Sequence, residues 1–293
     1  MNILMTGGTG LIGRAFIEHH GDYAYTVLTR SRQPAPTSAN VSLIHSLEHL
    51  QHLDEYDAVI NLAGEPILGK RWTARQKEVI RQSRWHTTQR LVDLIAQSQS
   101  PPRVFLSGSA IGVYGNRGDT LLDESAAVGG SDFASSLCVR WEALARDAEP
   151  FTRVVLLRTG IVLDTRGGAL RKMQLPFKFG MGGRIGHGRQ YMSWIHWLDQ
   201  IEAMNFLLTR EGLSGPVNLV APGAVTNADY TLGLAKALHR PAVLPMPEPL
   251  VKTLFGEAGS LLLDSQRVVP KKLLESGFQF AFDRLPAALE DLL

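Results

Sequence analysis

The chain has 293 residues, 44% of them apolar and 20% charged, and a formal net charge of +2, which is typical of a globular protein large enough to bury a core. It contains no basic block interleaved with aromatic residues, which gives nucleic-acid binding little support, and no apolar run of the roughly 18 residues that suggest a membrane span. Its single cysteine, Cys138, excludes an intramolecular disulfide and a cysteine metal cluster, and a strand pattern at the second residue leaves no room for a signal peptide, so we expect a cytoplasmic protein.

A glycine-rich turn follows the first predicted strand. Asn2-Ile3-Leu4-Met5 is typical of a buried strand, and Thr6-Gly7-Gly8-Thr9-Gly10-Leu11-Ile12-Gly13 leads into an amphipathic helix. A strand, a tight turn and a helix N-terminus present backbone N–H groups and a favourable dipole to the pyrophosphate of a dinucleotide. An ordinary glycine-rich turn is the alternative. The pyrophosphate contacts are expected from Gly7, Thr9, Gly10, Leu11 and Ile12, with Gly13 allowing close packing of helix and strand.

The second predicted strand, Tyr25-Thr26-Val27-Leu28, ends at the position that determines whether a dinucleotide site prefers NAD or NADP. An NAD site usually places an acidic residue about 20 residues after the glycine turn. Here Thr29 and Arg30 stand at that place, with Arg32 two residues on. A guanidinium grips a 2′-phosphate with charge-assisted hydrogen bonds of roughly 1.5–3 kcal/mol each, which corresponds to at least about tenfold selectivity. The pattern predicts an NADP(H) site; solvated surface arginines are the alternative.

Two more strands are predicted at Val41-Ser42-Leu43-Ile44 and Ala58-Val59-Ile60-Asn61-Leu62. The second of them ends at the ligand edge of a parallel sheet. Leu62 and Ala63 are therefore expected to line the adenine and ribose path of the cofactor.

A long helix comes next. Thr73 is its predicted N-cap, and the helix extends to about Gln97, because Pro101-Pro102 block any continuation. Arg84 lies on this helix. We expect it either to contact the cofactor or to form a surface ion pair.

The alternation of strands and helices continues with a fifth strand at Val104-Phe105-Leu106-Ser107, a helix between residues 129 and 148, and a sixth strand at Val154-Val155-Leu156-Leu157. Val162, placed at the end of the sixth strand, is expected to abut the nicotinamide. This order predicts an α/β fold with a doubly wound parallel sheet and helices on both faces.

The composition changes after residue 165. Five glycines between residues 180 and 188 indicate a mobile or closely packed loop near the site, and Val217-Asn218-Leu219-Val220 is predicted to return to the sheet. Short helices interrupted by prolines fill the last 70 residues. We therefore divide the chain into a dinucleotide-binding domain, residues 1–165 with 187–221, and a smaller substrate-side lobe, residues 166–186 and 222–293.

Several motifs together resemble the extended short-chain dehydrogenase/reductase superfamily. They are the glycine turn, Asn61-Leu62-Ala63-Gly64, Ser107-Gly108-Ser109-Ala110-Ile111-Gly112-Val113-Tyr114-Gly115 and Met192-Ser193-Trp194-Ile195-His196-Trp197-Leu198-Asp199. The tail, with Leu262-Leu263-Asp264-Ser265-Gln266-Arg267 and Pro270-Lys271-Lys272-Leu273, is similar to one atypical branch, the epimerase family typified by the bacterial YfcH protein. The resemblance implies a Rossmann fold of the extended type with a C-terminal lobe.

The chain departs from this superfamily at its acid/base pair. Ordinary members carry Tyr-x-x-x-Lys on the helix after the fifth strand, where the Tyr transfers a proton and the Lys holds the nicotinamide ribose. When the helix is aligned on Glu142, Ala134 stands in place of the Tyr and Cys138 in place of the Lys. A shifted helix would present Arg140 as the cation, but no Tyr precedes it at a suitable spacing. The usual pair is absent.

Four residues are candidates for the missing chemistry. Ser109 falls where the superfamily places a hydroxyl that orients the substrate, and Ser107 competes for that role. Tyr114 is a substitute acid if the cofactor's charge eases its ionisation, and otherwise a packing residue. Glu65 suits general acid/base work if burial raises its pKa, and otherwise binds a ribose hydroxyl or caps a helix.

Two functions are consistent with these observations. The first is an NADP(H)-dependent oxidoreductase or epimerase-like enzyme with an atypical active site, acting on a small molecule such as a nucleotide sugar or carbonyl compound. The second is a non-catalytic NADP(H)-binding sensor or assembly protein.

No metal, membrane or nucleic acid enters either function, and the superfamily resemblance implies a homodimer through the helices at 73–97 and 129–148. His196 and Cys138 are expected to be structural.

Overall fold

The computed structural model describes residues 1–30 and 39–293. Its strands, in chain order, are β1 (Asn2–Thr6), β2 (Ala24–Leu28), β3 (Val41–Ile44), β4 (Ala58–Asn61), β5 (Val104–Ala110), β6 (Leu121–Leu122), β7 (Arg153–Thr159), β8 (Ile161–Leu163), β9 (Tyr191–Met192), β10 (Trp194–His196), β11 (Gly215–Leu219), β12 (Val225–Thr226) and β13 (Arg267–Val268).

The α-helices are α1 (Leu11–His19), α2 (Ala74–Ala96), α3 (Phe133–Arg146), α4 (Gly168–Lys178), α5 (Trp197–Thr209), α6 (Asn227–Ala237), α7 (Glu248–Phe255), α8 (Ser260–Leu263), α9 (Lys271–Glu275) and α10 (Leu285–Leu292). Single turns of 3-10 helix lie at Ile111–Tyr114 and Gly256–Gly259.

Seven strands form one parallel sheet in the order β11-β7-β5-β4-β1-β2-β3. The chain proceeds outward from β1 to β2 and β3, then returns to the other side of β1 with β4. Ligands of such sheets bind outside the carboxyl ends of the strands, where the strand order reverses. The fold class is therefore confirmed, and the crevice lies beside the ends of β1 and β4.

Both faces of the sheet are covered by helices, as period-two burial requires. Ile3 and Met5 pack into a core shared with α1 and α5, whereas Leu4 packs into a second core with Leu91 and Ile95 of α2. These side chains are fully buried. Each buried Leu or Ile side chain contributes roughly 1.5–3 kcal/mol, so the two cores hold the strand ends in place.

The C-terminal residues pack around a third core. Trp194, Tyr230 and Leu289 bring β10, α6 and α10 together, and α4 covers them with Leu170. A separate cluster, which includes Ala258 and Phe133, holds the segment after α7 against the start of α3.

The glycine-rich loop is closely packed rather than open. A Cβ on Gly182 would lie 2.4 Å from the Phe177 ring, and one on Gly183 would lie 1.9 Å from the carbonyl oxygen of Leu244. Of the two alternatives for this loop, the structure supports close packing.

The helix predicted after Thr73 is confirmed at both ends. The Thr73 side chain accepts a hydrogen bond from the backbone N–H of Gln76, and Gln97 is the C-cap of α2. The next long helix, α3, begins later than predicted, because Asp132 caps it by accepting from the backbone N–H of Ser135 at 2.8 Å.

One predicted position was wrong. Val162 does not extend the sixth strand; β7 ends at Thr159, and Val162 lies on the separate strand β8, which pairs with β10. The break falls at Gly160, where a Cβ would lie 2.6 Å from the backbone oxygen of Ser193. The two segments cross too closely there for any side chain.

Across residues 1–30 and 39–293, no helix is long and apolar enough to span a membrane. The same residues contain no group of three or more His, Cys, Asp or Glu side chains suited to a metal ion.

Candidate functional site

The glycine turn has the geometry of an anion site. Gly7 has φ +74°, and a Cβ there would lie 2.6 Å from the backbone carbon of Leu62, so only glycine fits. The N–H of Gly10 donates to the carbonyl of Gly7 at 2.9 Å, which closes the turn. Gly10 is the N-cap of α1 and supplies no side chain, so the first N–H groups of the helix face the crevice.

Two more glycines let the chain segments around this turn approach closely. A Cβ on Gly13 would lie 2.4 Å from the carbonyl oxygen of Gly7, as expected for close packing of helix and strand. Gly8 was missed by the sequence reasoning, although a Cβ there would lie 2.8 Å from Val27 on β2. The glycine pattern itself was the available signal for it.

The predicted pyrophosphate and nicotinamide residues lie side by side. Leu11, Ile12 and Val162 line one small cleft between α1 and α5. Leu62 follows β4, and its N–H donates to the carbonyl of Thr6 at 3.0 Å. The structure therefore brings these four sequence-predicted residues to the same edge of the sheet, although it places Val162 on a different strand.

At the adenosine end, Thr29 is buried and Arg30 is exposed. The N–H of Thr29 donates to the carbonyl of Ile44 at 2.9 Å, which fixes the end of β2. Arg30 is near enough to Glu65 for its charge to favour the ionised carboxylate there. Arg32 lies outside the described residues.

The expectation for the pKa of Glu65 was wrong. The carboxylate accepts from the Lys70 ammonium at 2.8 Å and from the Gln76 amide at 3.5 Å. The hydrogen bond from Lys70 holds the pKa of Glu65 below its usual value. Glu65 is therefore ionised at neutral pH and is not poised as a general acid.

Arg84 is partly buried and bonds backbone carbonyls rather than forming a surface ion pair. Its Nη1 donates to the carbonyl oxygens of Glu65 at 3.0 Å and Ile80 at 3.3 Å, and its guanidinium lies 5.3 Å from the centre of the Trp141 ring. A Cβ on Gly64 would lie 2.8 Å from Cζ of Arg84. Burial lowers the pKa of Arg84. No carboxylate of the described chain forms an ion pair with it, so its charge remains available to a ligand.

Ser109 belongs to a buried polar network that the sequence did not predict. Its hydroxyl donates to Oε1 of Glu142 at 2.7 Å. Arg158 donates to both oxygens of Glu142 at 2.8 Å through Nε and Nη2, and its Nη1 donates to the Tyr114 hydroxyl at 3.0 Å. The carboxylate compensates the buried guanidinium and raises the pKa of Arg158. Glu142 lies on α3 and Arg158 on β7, so no regular spacing in the sequence could have predicted that the two side chains meet.

Of the two alternatives for Tyr114, its surroundings favour the packing residue over the substitute acid. Its side chain is fully buried, and its hydroxyl lies 2.8 Å from Oδ1 of Asn218 and 3.1 Å from the carbonyl of Asp123. Burial raises the pKa of Tyr114 more than the Arg158 guanidinium lowers it. Tyr114 therefore acts as a packing and hydrogen-bonding residue, which was the alternative interpretation.

Ser107 differs from Ser109 in its hydrogen bonding. Its hydroxyl is buried in the middle of β5, which continues to Ala110 rather than ending at Ser107 as predicted, and it has no hydrogen-bond partner among the described residues. The Ser109 proton is already engaged by Glu142, which leaves only the lone pairs of its oxygen for a ligand. Ser107 can thus donate a hydrogen bond, and Ser109 can accept one.

The helix position that usually carries the acid/base pair is apolar here. Ala134 and Cys138 are both buried on α3. Burial raises the pKa of the Cys138 thiol to about 12, so it stays protonated and serves as a small core residue. His196 is also structural, since its ring caps α5 by accepting from the N–H of Leu198 at 3.2 Å.

Comparison with known proteins gives a consistent result over the whole chain. Residues 3–220 match the model described as the NAD dependent epimerase/dehydratase family, and residues 246–292 match a domain of unknown function, DUF1731. The mouse epimerase family protein SDR39U1 is 39% identical over 297 residues, with 100% of both chains covered. An epimerase family protein of Mycobacterium bovis is 40% identical over 294 residues, covering 98% of this chain and 96% of the relative.

Comparison with solved structures supports the same family assignment. The human epimerase family protein SDR39U1 (isoform2) with NADPH superposes with a TM-score of 0.92 at 35% identity and covers 100% of this chain and 99% of that one. A UDP-glucuronic acid 4-epimerase of Bacillus cereus has a TM-score of 0.79 at 17% identity, which supports the fold alone.

Proposed function

Because the chain belongs to the NAD dependent epimerase/dehydratase family, and to the atypical branch that its motifs resemble, we propose that it is an NADP(H)-dependent oxidoreductase or epimerase-like enzyme acting on a small molecule. One observation carries the proposal. The human relative that matches this chain from end to end was solved with NADPH, and the same fold here presents an uncapped helix N-terminus at the glycine turn.

The cofactor residues fit a dinucleotide along the crevice. Gly7, Thr9, Gly10, Leu11 and Ile12 hold the pyrophosphate through backbone N–H groups and the dipole of α1. Thr29 and Arg30 hold the 2′-phosphate of the adenosine ribose, and Leu62 and Ala63 line its path, with Val162 beside the nicotinamide.

Arg84 supplies the cation that α3 lacks. The Cys138 thiol stands in the usual Lys position, and the Arg84 guanidinium is close enough to act on the pKa of that thiol. Arg84 reaches this place from α2 and has no carboxylate partner in the described chain. It therefore balances the negative charge of the cofactor or orients its ribose hydroxyls. Replacement of Arg84 by glutamine should weaken NADPH binding at least about tenfold in calorimetry, while lysine restores part of the affinity.

The serine pair supplies the remaining polar groups at the reacting end. A bound NADPH supplies the hydride. The Ser107 hydroxyl donates a hydrogen bond to the substrate oxygen, and the Ser109 oxygen, whose proton is held by Glu142, accepts one from a substrate hydroxyl. Glu65 and Tyr114, which sequence reasoning had also offered, take no acid/base role in this proposal.

A non-catalytic NADP(H)-binding sensor remains the second candidate. The observation that favours it is the burial of Ala134 and Cys138 where the acid/base pair usually stands. A homodimer through α2 and α3 stays a prediction.

Calorimetric titration of cofactor-stripped protein with NADPH and NADH tests the cofactor, and a panel of sugars and carbonyl compounds then tests turnover by NADPH absorbance. Tight, NADP-selective binding with turnover supports the enzyme, and binding without turnover across the panel supports the sensor. Failure of both cofactors to bind refutes both functions.

A further inference from the structure

A cavity of about 600 Å³ lies between the nucleotide-binding part of the chain and its C-terminal segments. Asn116 lines it from the loop after the first 3-10 turn, His187 from the glycine-rich loop, and the residues of α7 to α8 complete it. The role of this cavity rests on the proposed function, because a substrate pocket requires a cofactor bound in the neighbouring crevice.

Hydrogen bonds between distant segments build the cavity. The Asn116 side chain accepts from the N–H of Ser265 at 3.1 Å, and the Gln266 amide donates to the carbonyl of Gly115 at 3.2 Å. The N–H of Gly186 donates to the carbonyl of Met246 at 2.8 Å. Since each wall is tied to another, the cavity is preformed.

The cavity borders the first turn of α3. Glu257 and Ser260 line it, and Ala258 between them packs in one cluster with Phe133 and Ala134 at the start of α3. Ala134, which occupies the position of the usual acid, follows Asp132 by two residues. The cavity therefore lies at the end of the crevice where the reaction is expected.

The cavity lining has more carboxylate groups than ammonium groups. Lys252 is paired with Glu248 at 2.7 Å, and Glu257 is paired with Lys77. Within the described part of the chain, Asp264 has no ion pair and no arginine lines the cavity; His187 is the remaining ionisable side chain of the lining. Burial and the nearby Asp132 raise the pKa of Asp264 to about 6, so it is mostly ionised at pH 7.

We propose that this cavity is the substrate pocket and that its substrate is a hydroxylated compound, neutral or cationic, without a phosphate group. Proteins bind phosphate through arginine forks, unpaired lysines or the backbone N–H groups of a helix N-terminus. Among the described residues the lining has no arginine, and its lysine, Lys252, is paired with Glu248. Asp264 accepts hydrogen bonds from hydroxyl or ammonium groups and repels a phosphate. A nucleoside diphosphate sugar, one of the substrates that the sequence analysis considered, does not fit this lining.

Three probes with the same ring but different charge test the proposal: D-glucosamine, D-glucose and glucose 1-phosphate. Each is titrated into the NADPH-loaded protein, and binding is followed by saturation-transfer NMR. We expect glucosamine to bind at least about tenfold more tightly than glucose 1-phosphate, with glucose between them. Asp264→Asn should remove the difference, and Asp264→Lys should reverse the order. Glu290→Gln, an exposed change on α10, is the matched control and should leave the order unchanged.

A flat or reversed order for the native protein, or an order that Asp264→Asn leaves intact, overturns the proposal. NADPH titration of the native protein and of every variant separates failure of this proposal from misfolding of a variant and from failure of the proposed function. Normal NADPH affinity shows that a protein is folded. A flat order for native protein that binds NADPH normally therefore refutes the substrate class alone. Loss of NADPH binding by the native protein refutes the proposed function instead.

Discussion

Replacement of Glu142 by glutamine tests how far the buried charge network stabilises the fold. The carboxylate of Glu142 accepts two hydrogen bonds from Arg158 at 2.8 Å and one from Ser109 at 2.7 Å, and its side chain is only 6% exposed. A glutamine keeps the shape but removes the charge and turns an N–H₂ group toward the guanidinium. Arg158, itself 3% exposed, is then buried without a counter-charge.

Breaking a buried ion pair by removing one partner costs about 3–5 kcal/mol, a large part of a typical total stability of about 5–15 kcal/mol. We therefore expect Glu142→Gln to lower the free energy of unfolding by about 3 kcal/mol or more, because the Tyr114 hydroxyl compensates Arg158 only in part. Urea denaturation of the native and variant proteins measures this change through the midpoint at constant slope.

The exposed pair Arg146–Glu149 is the matched control, since its side chains are 42% and 47% exposed. Glu149→Gln should change the free energy of unfolding by less than about 0.5 kcal/mol. The double variant Glu142→Met/Arg158→Met should recover much of the lost stability, because neither charge is then left unpaired. A loss below about 1 kcal/mol for Glu142→Gln would show that water reaches the pair, and the reasoning would be refuted.

Three further predictions concern the cofactor site and the surface. Arg30→Asp should weaken NADPH binding at least about tenfold and spare NADH, by calorimetry, and an unchanged selectivity would mean that the 2′-phosphate lies elsewhere. Gly13→Ala should destabilise the fold by about 1–3 kcal/mol, because its Cβ would lie 2.4 Å from a carbonyl oxygen, whereas Gly21→Ala has nothing within 4 Å and should not destabilise it; equal thermal midpoints for the two variants would contradict this. The pKa of Asp123 is lowered to about 2 by the Ser125 hydroxyl, and Lys271 also lowers it. The stability that it contributes is therefore full above the unfolded pKa of about 3.9 and lost as the pH falls through about 2. Asp123→Asn should flatten the stability profile in that window, and a profile that keeps its slope would contradict the assignment.

The sequence by itself determined the parts of the protein that depend on local rules. The glycine turn after a buried strand predicts a dinucleotide site. The structure agrees with this pattern, because a side chain at Gly7 would clash with the backbone of Leu62. The span of α2 was predictable from a capping threonine and two blocking prolines. The alternation of strands and helices was sufficient to predict the parallel sheet, since the central strands β1, β4, β5 and β7 show the apolar pattern of a doubly covered layer.

The tertiary structure alone decided the chemistry of the side chains in the crevice. The pKa of Glu65 depends on Lys70 folding back onto it, and the ionisation of Tyr114 depends on how burial compares with the nearby Arg158. The availability of the Arg84 charge and the engagement of Ser109 by Glu142 likewise arise from contacts between separate elements. A pKa or a hydrogen bond depends on which groups meet in space, and no periodicity in the chain records those meetings.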